Sequence, residues 1–396
     1  MKQLAILGGK PAFSSQLKFI KPMFPTYSES KYESYFNEVF KTGMLSKGRF
    51  LEKYESEVSS YLGAPYVTAV SSGTIGLILA LEALGIKSGD EVLVPSFTFC
   101  ATVHAIKKVG AIPVFVDCNS ETFTIETNNI EKYITPKTKA IIAVHIFGVG
   151  AEVYELERVS KTHNLKLIYD AAHAFGSTID KTHLGNFGDI SVYSTSPTKT
   201  LVTGEGGIVV SKNKEIDSKI RLLREYGNPG DYNCTEIGVN ARLSELAAIT
   251  GLMSLSVIDK NLSERKKIGN YYRQLLSEIE GVSLQKIPDN QISTYKDLCI
   301  VVHARSFGLD RDTVVQSLNR EGIPTRNYFS PPVHKMDCYS EYNDLVLENT
   351  ENISKNIICL PMHPFLTYAD IEMIVNILRN IHINAEEIKK RVIQDA

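Results

Sequence analysis

The chain lacks the features that mark membrane, secreted and nucleic-acid-binding proteins. Its 396 residues carry 43 Lys and Arg against 45 Asp and Glu. No basic block stands out, so nothing indicates a nucleic-acid partner. No apolar run is long enough for a membrane span, and the apolar stretch within residues 1–10 is too short for a signal peptide. These absences predict a cytoplasmic protein with neither nucleic acid nor membrane as a partner.

Cysteine is sparse, and no two cysteines form a Cys-x-x-Cys pair. The six are Cys100, Cys118, Cys234, Cys299, Cys338 and Cys359. In a cytoplasmic chain of this size we expect them to be free thiols, mainly buried. The nine histidines are equally dispersed and form no ligand cluster, so we predict no metal site.

The pattern of elements predicts an α/β protein. Short apolar strands alternate with amphipathic helices from about residue 65 to 212, which is typical of a mostly parallel sheet covered by helices on both faces. The predicted strands are Glu91–Pro95, Ile112–Asp117, Lys139–His145, Leu165–Asp170, Ile190–Ser194 and Gly207–Val210. The predicted helices of this region are Ile75–Leu84, Ala101–Val109 and Ala151–His163.

The length predicts a large domain and a smaller one. Residues 214–227 and 242–280 read as helices, the second as one long helix, and we place the domain boundary inside it. Residues 1–255 would form the large domain with its N-terminal segment, and residues 256–396 a small α+β domain. The small domain would contain the strand Leu298–His303, the helix Arg311–Glu321, and a helix from Tyr368 to about Ile381.

The stretch Ser194–Gly207 is the most informative part of the chain. It places Lys199 between a hydroxyl-rich run and a glycine-rich turn. A lysine held in this way is a candidate Schiff-base residue, and the nearby hydroxyls can bind a phosphate. The alternative is an ordinary solvated surface lysine.

A second segment, Val70–Gly85, places small hydroxyl and glycine residues before an apolar helical run. This arrangement predicts a helix N-terminus open to an anion, because its free N–H groups and dipole favour negative charge. The alternative is plain N-capping by Ser72 or Thr74.

A third segment, Leu165–Gly176, reads as a buried strand that ends at Asp170. An aspartate just past the carboxyl end of a parallel strand lies where α/β sheets bind ligands. There it could hold the nitrogen of a pyridine ring protonated, which makes the ring an electron sink. The alternative is a turn-forming or helix-capping aspartate.

The three segments occur in the order phosphate site, aspartate, lysine, and the chain resembles the DegT/StrS family of nucleotide-sugar aminotransferases over roughly residues 15–380. This family belongs to the fold-type I enzymes that use pyridoxal 5′-phosphate. The matching motifs are Ser72–Thr74, Gly89–Phe99, Val144–Gly148, Asp170–Gly176, Gly188–Asp189, Thr198–Lys199, Gly204–Gly207, Gly238–Glu245 and Leu360–Pro364.

The resemblance implies roles for five residues of the site. Lys199 would bind the cofactor covalently and shuttle a proton, and Asp170 would face the pyridine nitrogen. Gly73 and Thr74 would bind the cofactor phosphate mainly through backbone N–H groups, and Ser194 through its hydroxyl.

The resemblance also implies supporting roles nearby. Phe99 would stack on the cofactor ring, with a core phenylalanine as the alternative. His173 would lie near the ring, or be a purely structural histidine. Asn240 would reach the phosphate of the neighbouring subunit, which would make the enzyme a homodimer with shared sites; a turn asparagine is the alternative.

The substrate side is harder to assign. Arg326 and Tyr328 lie in a segment that resembles one facing the sugar nucleotide, and Arg326 could pair with its diphosphate or be a surface arginine. Met44 lies in a loop that resembles one bordering the sugar. Many relatives carry histidine or an aromatic residue where this chain has Ser196, which puts the substrate-side contacts in doubt.

The resemblance implies transfer of an amino group to a nucleotide-linked keto-deoxysugar, most simply a 4-keto-6-deoxyhexose, with L-glutamate as donor. Three alternatives stay open: a 3-keto substrate, a dehydratase or lyase on the same scaffold, and a non-catalytic sensor. Some dehydratase relatives replace the lysine by histidine, so Lys199 favours transamination. Asp170 and Lys199 together argue against a sensor, because a binding module needs neither.

Overall fold

The computed structural model describes residues 3–26 and 31–395. Its strands are β1 (Tyr66–Val70), β2 (Glu91–Pro95), β3 (Ile112–Val116), β4 (Thr138–Val144), β5 (Lys166–Asp170), β6 (Thr178–Ile179), β7 (Thr182–His183), β8 (Ile190–Ser194), β9 (Gly207–Ser211), β10 (Val282–Leu284), β11 (Gln291–Ile292), β12 (Leu298–Val302) and β13 (Ile357–Leu360). Its α-helices are α1 (Tyr32–Thr42), α2 (Arg49–Leu62), α3 (Gly73–Ala83), α4 (Cys100–Lys108), α5 (Val153–Thr162), α6 (Lys214–Arg224), α7 (Glu245–Leu255), α8 (Ile258–Leu276), α9 (Ala304–Phe307), α10 (Arg311–Arg320), α11 (Glu348–Asn356), α12 (Tyr368–Ile383) and α13 (Ala385–Asp395).

A seven-stranded sheet in the order β1-β9-β8-β5-β4-β2-β3 forms the centre of the large domain. The pairs between β8, β5, β4, β2 and β3 are parallel, and β9 is antiparallel to both β8 and β1. The prediction of a mostly parallel sheet is therefore confirmed. Because β9 runs backwards, the connection from β8 to β9 starts and ends at the carboxyl edge of the parallel strands, and Lys199 lies in this connection.

The sheet is covered on both faces because its strands are apolar at successive positions. On β4, Ile141 and Ala143 pack into one core cluster, while Ala140 and Ile142 pack into the cluster on the opposite face. Apolar residues of α2, α5 and α7 cover the first face, and those of α3, α4 and α6 cover the second. Such near-continuous apolar strands are typical of parallel sheets that are buried on both sides.

A third core cluster unites the C-terminal part of the chain around the three-stranded sheet β10-β12-β13. Residues of α8, α10 and α12 pack against this sheet, and so do Leu4 and Ile6 from the N-terminal segment. We keep residue 255 as the proposed boundary of the small domain and propose that these N-terminal side chains complete its core.

The helix predicted over 242–280 is wrong as one element, because it is broken at Ser256 and Val257. The Ser256 hydroxyl donates to the Met253 carbonyl at 2.7 Å, and Val257 has non-helical backbone angles. A serine that bonds to the preceding turn competes with the helix in this way. The helix also starts only at Glu245, where the Ser244 side chain accepts from the Ala247 N–H.

The sequence patterns also missed six strands: β1, β6, β7, β10, β11 and β13. β1 and β13 are short apolar runs, which periodicity cannot tell from a helix segment or a loop. The other four span only two or three residues each. The other predicted strands of the large domain are confirmed within one or two residues. Within residues 3–26 and 31–395, the helices are all too short or too polar to cross a bilayer.

Candidate active site

The first turn of α3 forms one wall of a cavity at the carboxyl edge of the sheet. Ser72 caps this helix, since its hydroxyl accepts from the Ile75 N–H at 3.2 Å, so the simple capping role is confirmed. The amides of Gly73 and Thr74 follow in the first turn, where N–H groups have no partner within a helix, and both residues line the cavity. The helix end is therefore both capped and available to an anion.

Close packing around this helix end requires glycine. A Cβ on Gly73 would lie 3.1 Å from the Ser194 Cβ, which is tighter than ordinary contact. A Cβ on Gly207 would lie 2.7 Å from the Gly73 amide nitrogen and from the Ser72 carbonyl. The helix end, the end of β8 and the start of β9 thus meet with space for backbone only, and Ser194 lies beside the exposed amides.

Asp170 ends β5 in the floor of the same cavity and is nearly fully buried. Its carboxylate accepts from the Thr102 hydroxyl at 2.7 Å and from the Ala172 N–H at 3.1 Å. Thr98 lies within 2.8 Å of the Thr102 hydroxyl, so Thr98 can donate to Thr102 while Thr102 donates to Asp170. Burial raises the pKa of Asp170, and the Thr102 and Ala172 bonds and the charge of Lys199 oppose that rise.

Lys199 reaches the cavity from the connection between β8 and β9. Its backbone N–H donates to the Ser196 carbonyl at 3.0 Å, which closes a tight turn. Burial and, next, the charge of Lys296 lower the pKa of Lys199 to about 7, against the opposing charges of Asp297 and Asp170. A lysine with such a pKa has a substantial fraction of neutral amine at neutral pH, and the neutral amine is the nucleophilic form.

Aromatic side chains close the cavity on the side of the small domain. Phe329 lies with its ring nearly parallel to the His173 ring, at 6.1 Å between centroids. His173 accepts the Phe147 N–H at Nδ1, so the remaining ring proton lies on Nε2. Burial holds the pKa of His173 well below its usual range, and the ring stays neutral. Phe99 is 57% exposed and lines the cavity, although its ring is apolar.

The cavity has a volume of about 360 Å³, within the range of small-molecule sites. Most of the predicted site residues line it: Gly73, Thr74, Phe99, Asp170, His173, Ser194, Lys199 and Tyr328. The described lining does not include Met44, Asn240 or Arg326. These three are exposed at the surface, so their predicted contacts would have to come from a bound substrate or from a second chain.

Sequence reasoning missed Thr102 and Lys296. Thr102 donates a hydrogen bond to the Asp170 carboxylate. It lies in the first turn of α4, and nothing in the local sequence marks it as a site residue except its closeness to Phe99. Lys296 lines the cavity although it lies almost a hundred residues after Lys199. A lysine followed by an aspartate just before an apolar strand was a detectable signal, since charged pairs are uncommon at buried strand ends.

The sequence matches the model of the DegT/DnrJ/EryC1/StrS aminotransferase family over residues 27–379. It is 35% identical over 337 residues to a dTDP-4-amino-4,6-dideoxy-D-glucose transaminase from Shigella dysenteriae, covering 85% of this chain and 91% of the relative. It is 36% identical over 328 residues to GDP-perosamine synthase from Escherichia coli O157:H7, covering 82% and 88%. A UDP-N-acetyl-3-dehydro-alpha-D-glucosamine 3-aminotransferase from Acidithiobacillus ferrooxidans is 33% identical over 335 residues, covering 84% and 88%.

Solved structures agree with this family. The fold superimposes on DesI, whose crystal structure was analysed in the presence of its TDP-sugar product, with a TM-score of 0.91 at 29% identity over 98% of both chains. It superimposes on NtdA from Bacillus subtilis, with the cofactor PMP bound, with a TM-score of 0.84 at 28% identity over 94% of this chain and 88% of the other.

The fold and site define a fold-type I enzyme that uses pyridoxal 5′-phosphate. The chain belongs to the DegT/DnrJ/EryC1/StrS aminotransferase family, and it is a sugar aminotransferase.

The residues of the cavity fit the cofactor. The amides of Gly73 and Thr74 suit its phosphate, and a Cβ on Gly73 would crowd Ser194 beside them. A carboxylate and a lysine amine of lowered pKa line the same cavity and suit its ring nitrogen and its aldehyde. When bound, the cofactor supplies an electron sink that weakens the bonds to the carbon carrying the amino group.

We predict that Lys199 titrates far below ordinary lysines in the protein freed of cofactor. Its amine loses its proton near pH 7, so acylation of Lys199 should rise through pH 7, whereas ordinary lysines become reactive near about pH 10. Competitive acetylation at a series of pH values, read by peptide mass spectrometry, measures this midpoint. A midpoint above about pH 9 would show that burial does not depress the pKa of this group.

We predict that Asp170→Asn retains cofactor binding but loses turnover by several orders of magnitude. The amide keeps the shape and can still accept from Thr102, but it has no charge to hold a ring nitrogen protonated. Absorbance of the bound cofactor checks binding, and single-turnover rates check the chemistry. Near-normal turnover of Asp170→Asn would remove Asp170 from the catalytic residues.

Proposed function

We propose that this enzyme converts a nucleotide-linked 4-keto-6-deoxyhexose to the 4-amino sugar, with L-glutamate as the amino donor. The observation that carries transamination is the presence of Lys199 and Asp170 in one cavity. Amination at C4 is supported by the relative from Shigella dysenteriae, whose name specifies a 4-amino-4,6-dideoxy sugar.

The chemistry requires a base that moves a proton on and off the carbon bearing nitrogen. Lys199 Nζ suits this task because burial brings its pKa to about 7, so near neutral pH it can both accept a proton and give it back. Asp170 would hold the ring nitrogen protonated, supported by the Thr102 hydroxyl and the Ala172 N–H. The neutral His173 ring and the Phe329 ring would limit access of water from the small-domain side.

The alternative of a 3-keto substrate is favoured by one relative, the 3-aminotransferase from Acidithiobacillus ferrooxidans. A lyase or dehydratase on the same scaffold is the other alternative, and it is less favoured because Lys199 is retained. Both alternatives are outcomes of the product assay below.

We also propose that the enzyme is a homodimer with shared sites. An exposed apolar surface lies next to Asn240, and exposed apolar patches of this kind mark interfaces. Its residues are Met44 (54% exposed), Leu45, Tyr226, Tyr232, Ile237 and Val239. Two contacts bring its segments together: Lys47 pairs with Glu225 at 2.6 Å, and the Tyr226 N–H donates to the Val239 carbonyl. This position suits an asparagine that serves the phosphate site of the other chain.

The proposed substrates are tested by product analysis. Purified enzyme is incubated with L-glutamate and a panel of nucleotide-linked 4-keto and 3-keto sugars, and the products are identified by mass and by position of the new amine. We expect an amino sugar aminated at C4, together with 2-oxoglutarate. A 3-amino product or a deoxygenated product without nitrogen would identify the corresponding alternative.

We predict that mixing two inactive variants restores activity. Lys199→Ala removes the nucleophile and Asn240→Ala removes the contact to the partner's phosphate site. In a mixed dimer one site carries both defects and the other carries neither, so random mixing should restore about one quarter of wild-type activity per site.

The test requires that Asn240→Ala alone be strongly impaired and that subunits exchange, which native mass spectrometry verifies. If exchange is complete and no activity returns, Asn240 and Lys199 serve the same site, and the proposal of shared sites fails.

A further inference from the structure

A buried ion pair borders the cavity beside Lys199. Lys296 and Asp297 immediately precede β12, and the Lys296 ammonium lies 2.9 Å from both carboxylate oxygens of Asp297. The two side chains are only 2% and 1% exposed. The ammonium also lies 5.5 Å from the centroid of the Tyr328 ring, which lines the same cavity.

Such a pair is not explained by stability. Taking both charges out of water costs several kcal/mol per ion, and well-packed apolar residues are often as stable or more so at such positions. Asp297 takes two of the three N–H donors of the ammonium, which leaves one for another acceptor. Lys296 itself borders the cavity, so a bound ligand can supply that acceptor.

The charges around the cavity indicate what kind of ligand this is. The ionisable side chains that line it include Asp170, Lys199, Glu205 and Lys296, and the buried His173 stays neutral. Asp170 and Lys199 are engaged by the cofactor, and Glu205 is an anion. In the part of the chain that the structure describes, Lys296 is therefore the lining cation that remains for a substrate.

We propose that Lys296, held in place by Asp297, binds the α-carboxylate of the amino donor. This inference rests on the proposed function, because it assumes that the donor is an α-amino acid such as L-glutamate. The α-carboxylate is attached to the same carbon as the transferred amine. When that amine is at the reaction centre near Lys199, the carboxylate lies one bond away from the same carbon, in the cavity that Lys199 and Lys296 both line.

A carboxylate explains the buried charge better than a sugar hydroxyl does. A hydroxyl can be bound by a neutral amide, which is far less costly to bury than an ammonium. A carboxylate instead gains a charge-assisted hydrogen bond in a site that excludes water. Without the amino donor, Asp297 accepts from two of the three N–H groups of the Lys296 ammonium. With the donor bound, the third N–H binds the substrate carboxylate, and Asp297 keeps the ammonium in position.

The experiment compares two changes at this pair that should have different effects on the affinity for a carboxylate ligand. The double variant Lys296→Met with Asp297→Leu replaces the ion pair by apolar residues of similar size, which should preserve folding. Asp297→Asn keeps the ammonium but removes its anionic partner. The matched control is Lys286→Met with Glu121→Leu, which removes an exposed pair of 2.7 Å that does not border the cavity.

The readout is binding of maleate, an unreactive dicarboxylate, to each holoenzyme by calorimetry. We expect the double variant to bind maleate roughly 10- to 100-fold more weakly, as loss of a charge-assisted hydrogen bond predicts. Asp297→Asn should bind maleate at least as tightly as wild type, because its amide oxygen can still accept from Lys296 while the repulsion from the carboxylate is removed. The control should be unchanged. Cofactor absorbance and thermal unfolding confirm that each variant is folded and loaded.

A purely structural pair would give a different pattern. It would weaken maleate binding in the double variant and in Asp297→Asn alike, or in neither, and either result overturns the proposal. The half-reactions add a second readout: the rate with L-glutamate should fall in the double variant, while the rate with the keto sugar should stay close to that of wild type.

The two proposals fail separately. If wild type converts no L-glutamate but the double variant still loses maleate binding, the donor in the proposed function is wrong and the carboxylate site stands. If wild type and the double variant convert L-glutamate equally well and bind maleate equally tightly, the proposed function stands and the role of Lys296 is wrong.

Discussion

The carboxyl ends of the parallel strands share one edge of the sheet, and the groups proposed to hold the cofactor depend on this constraint. β1 leads into the capped N-terminus of α3, β2 leads towards Phe99, β5 ends at Asp170 and β8 ends at Ser194. These groups are far apart in sequence, yet the sheet aligns them without long side chains. The reversed direction of β9 adds Lys199, because the β8–β9 connection must turn back at the same edge.

Burial at this edge sets the chemistry as much as residue type does. The same exclusion of water raises the pKa of Asp170 and lowers the pKa of Lys199, so that each group shifts towards its neutral form. A cofactor ring with a protonated nitrogen would restore the charge of Asp170 by pairing with it. In the free enzyme Asp170 and Lys199 therefore lack partners that a bound cofactor would supply. In our proposal the Lys296–Asp297 pair is similar, because one N–H of Lys296 remains for a substrate.

Much of the site could be predicted from sequence because its motifs are local. Lys199 lies in a short hydroxyl and glycine run, Asp170 ends an apolar strand, and Gly73 opens a helix, so each signal is contained within about a dozen residues. The helix over 242–280 was misjudged because its apolar pattern continues through a break at Ser256 and Val257, where the Ser256 hydroxyl donates to the preceding turn. Lys296 was missed because most of the residues that line its cavity lie far from it in the sequence, between Ser72 and Glu205.

The sequence by itself determined the alternation of strands and helices, the order of the phosphate, aspartate and lysine segments, and the family to which they belong. Hydrophobic periodicity and short motifs carry this information, and both are properties of neighbouring residues. Only the tertiary structure decided which residues share the cavity, the direction of β9, and the burial that brings the pKa of Lys199 to about 7. These features arise from contacts between distant segments, and the loss of water that shifts a pKa exists only once those segments have packed together.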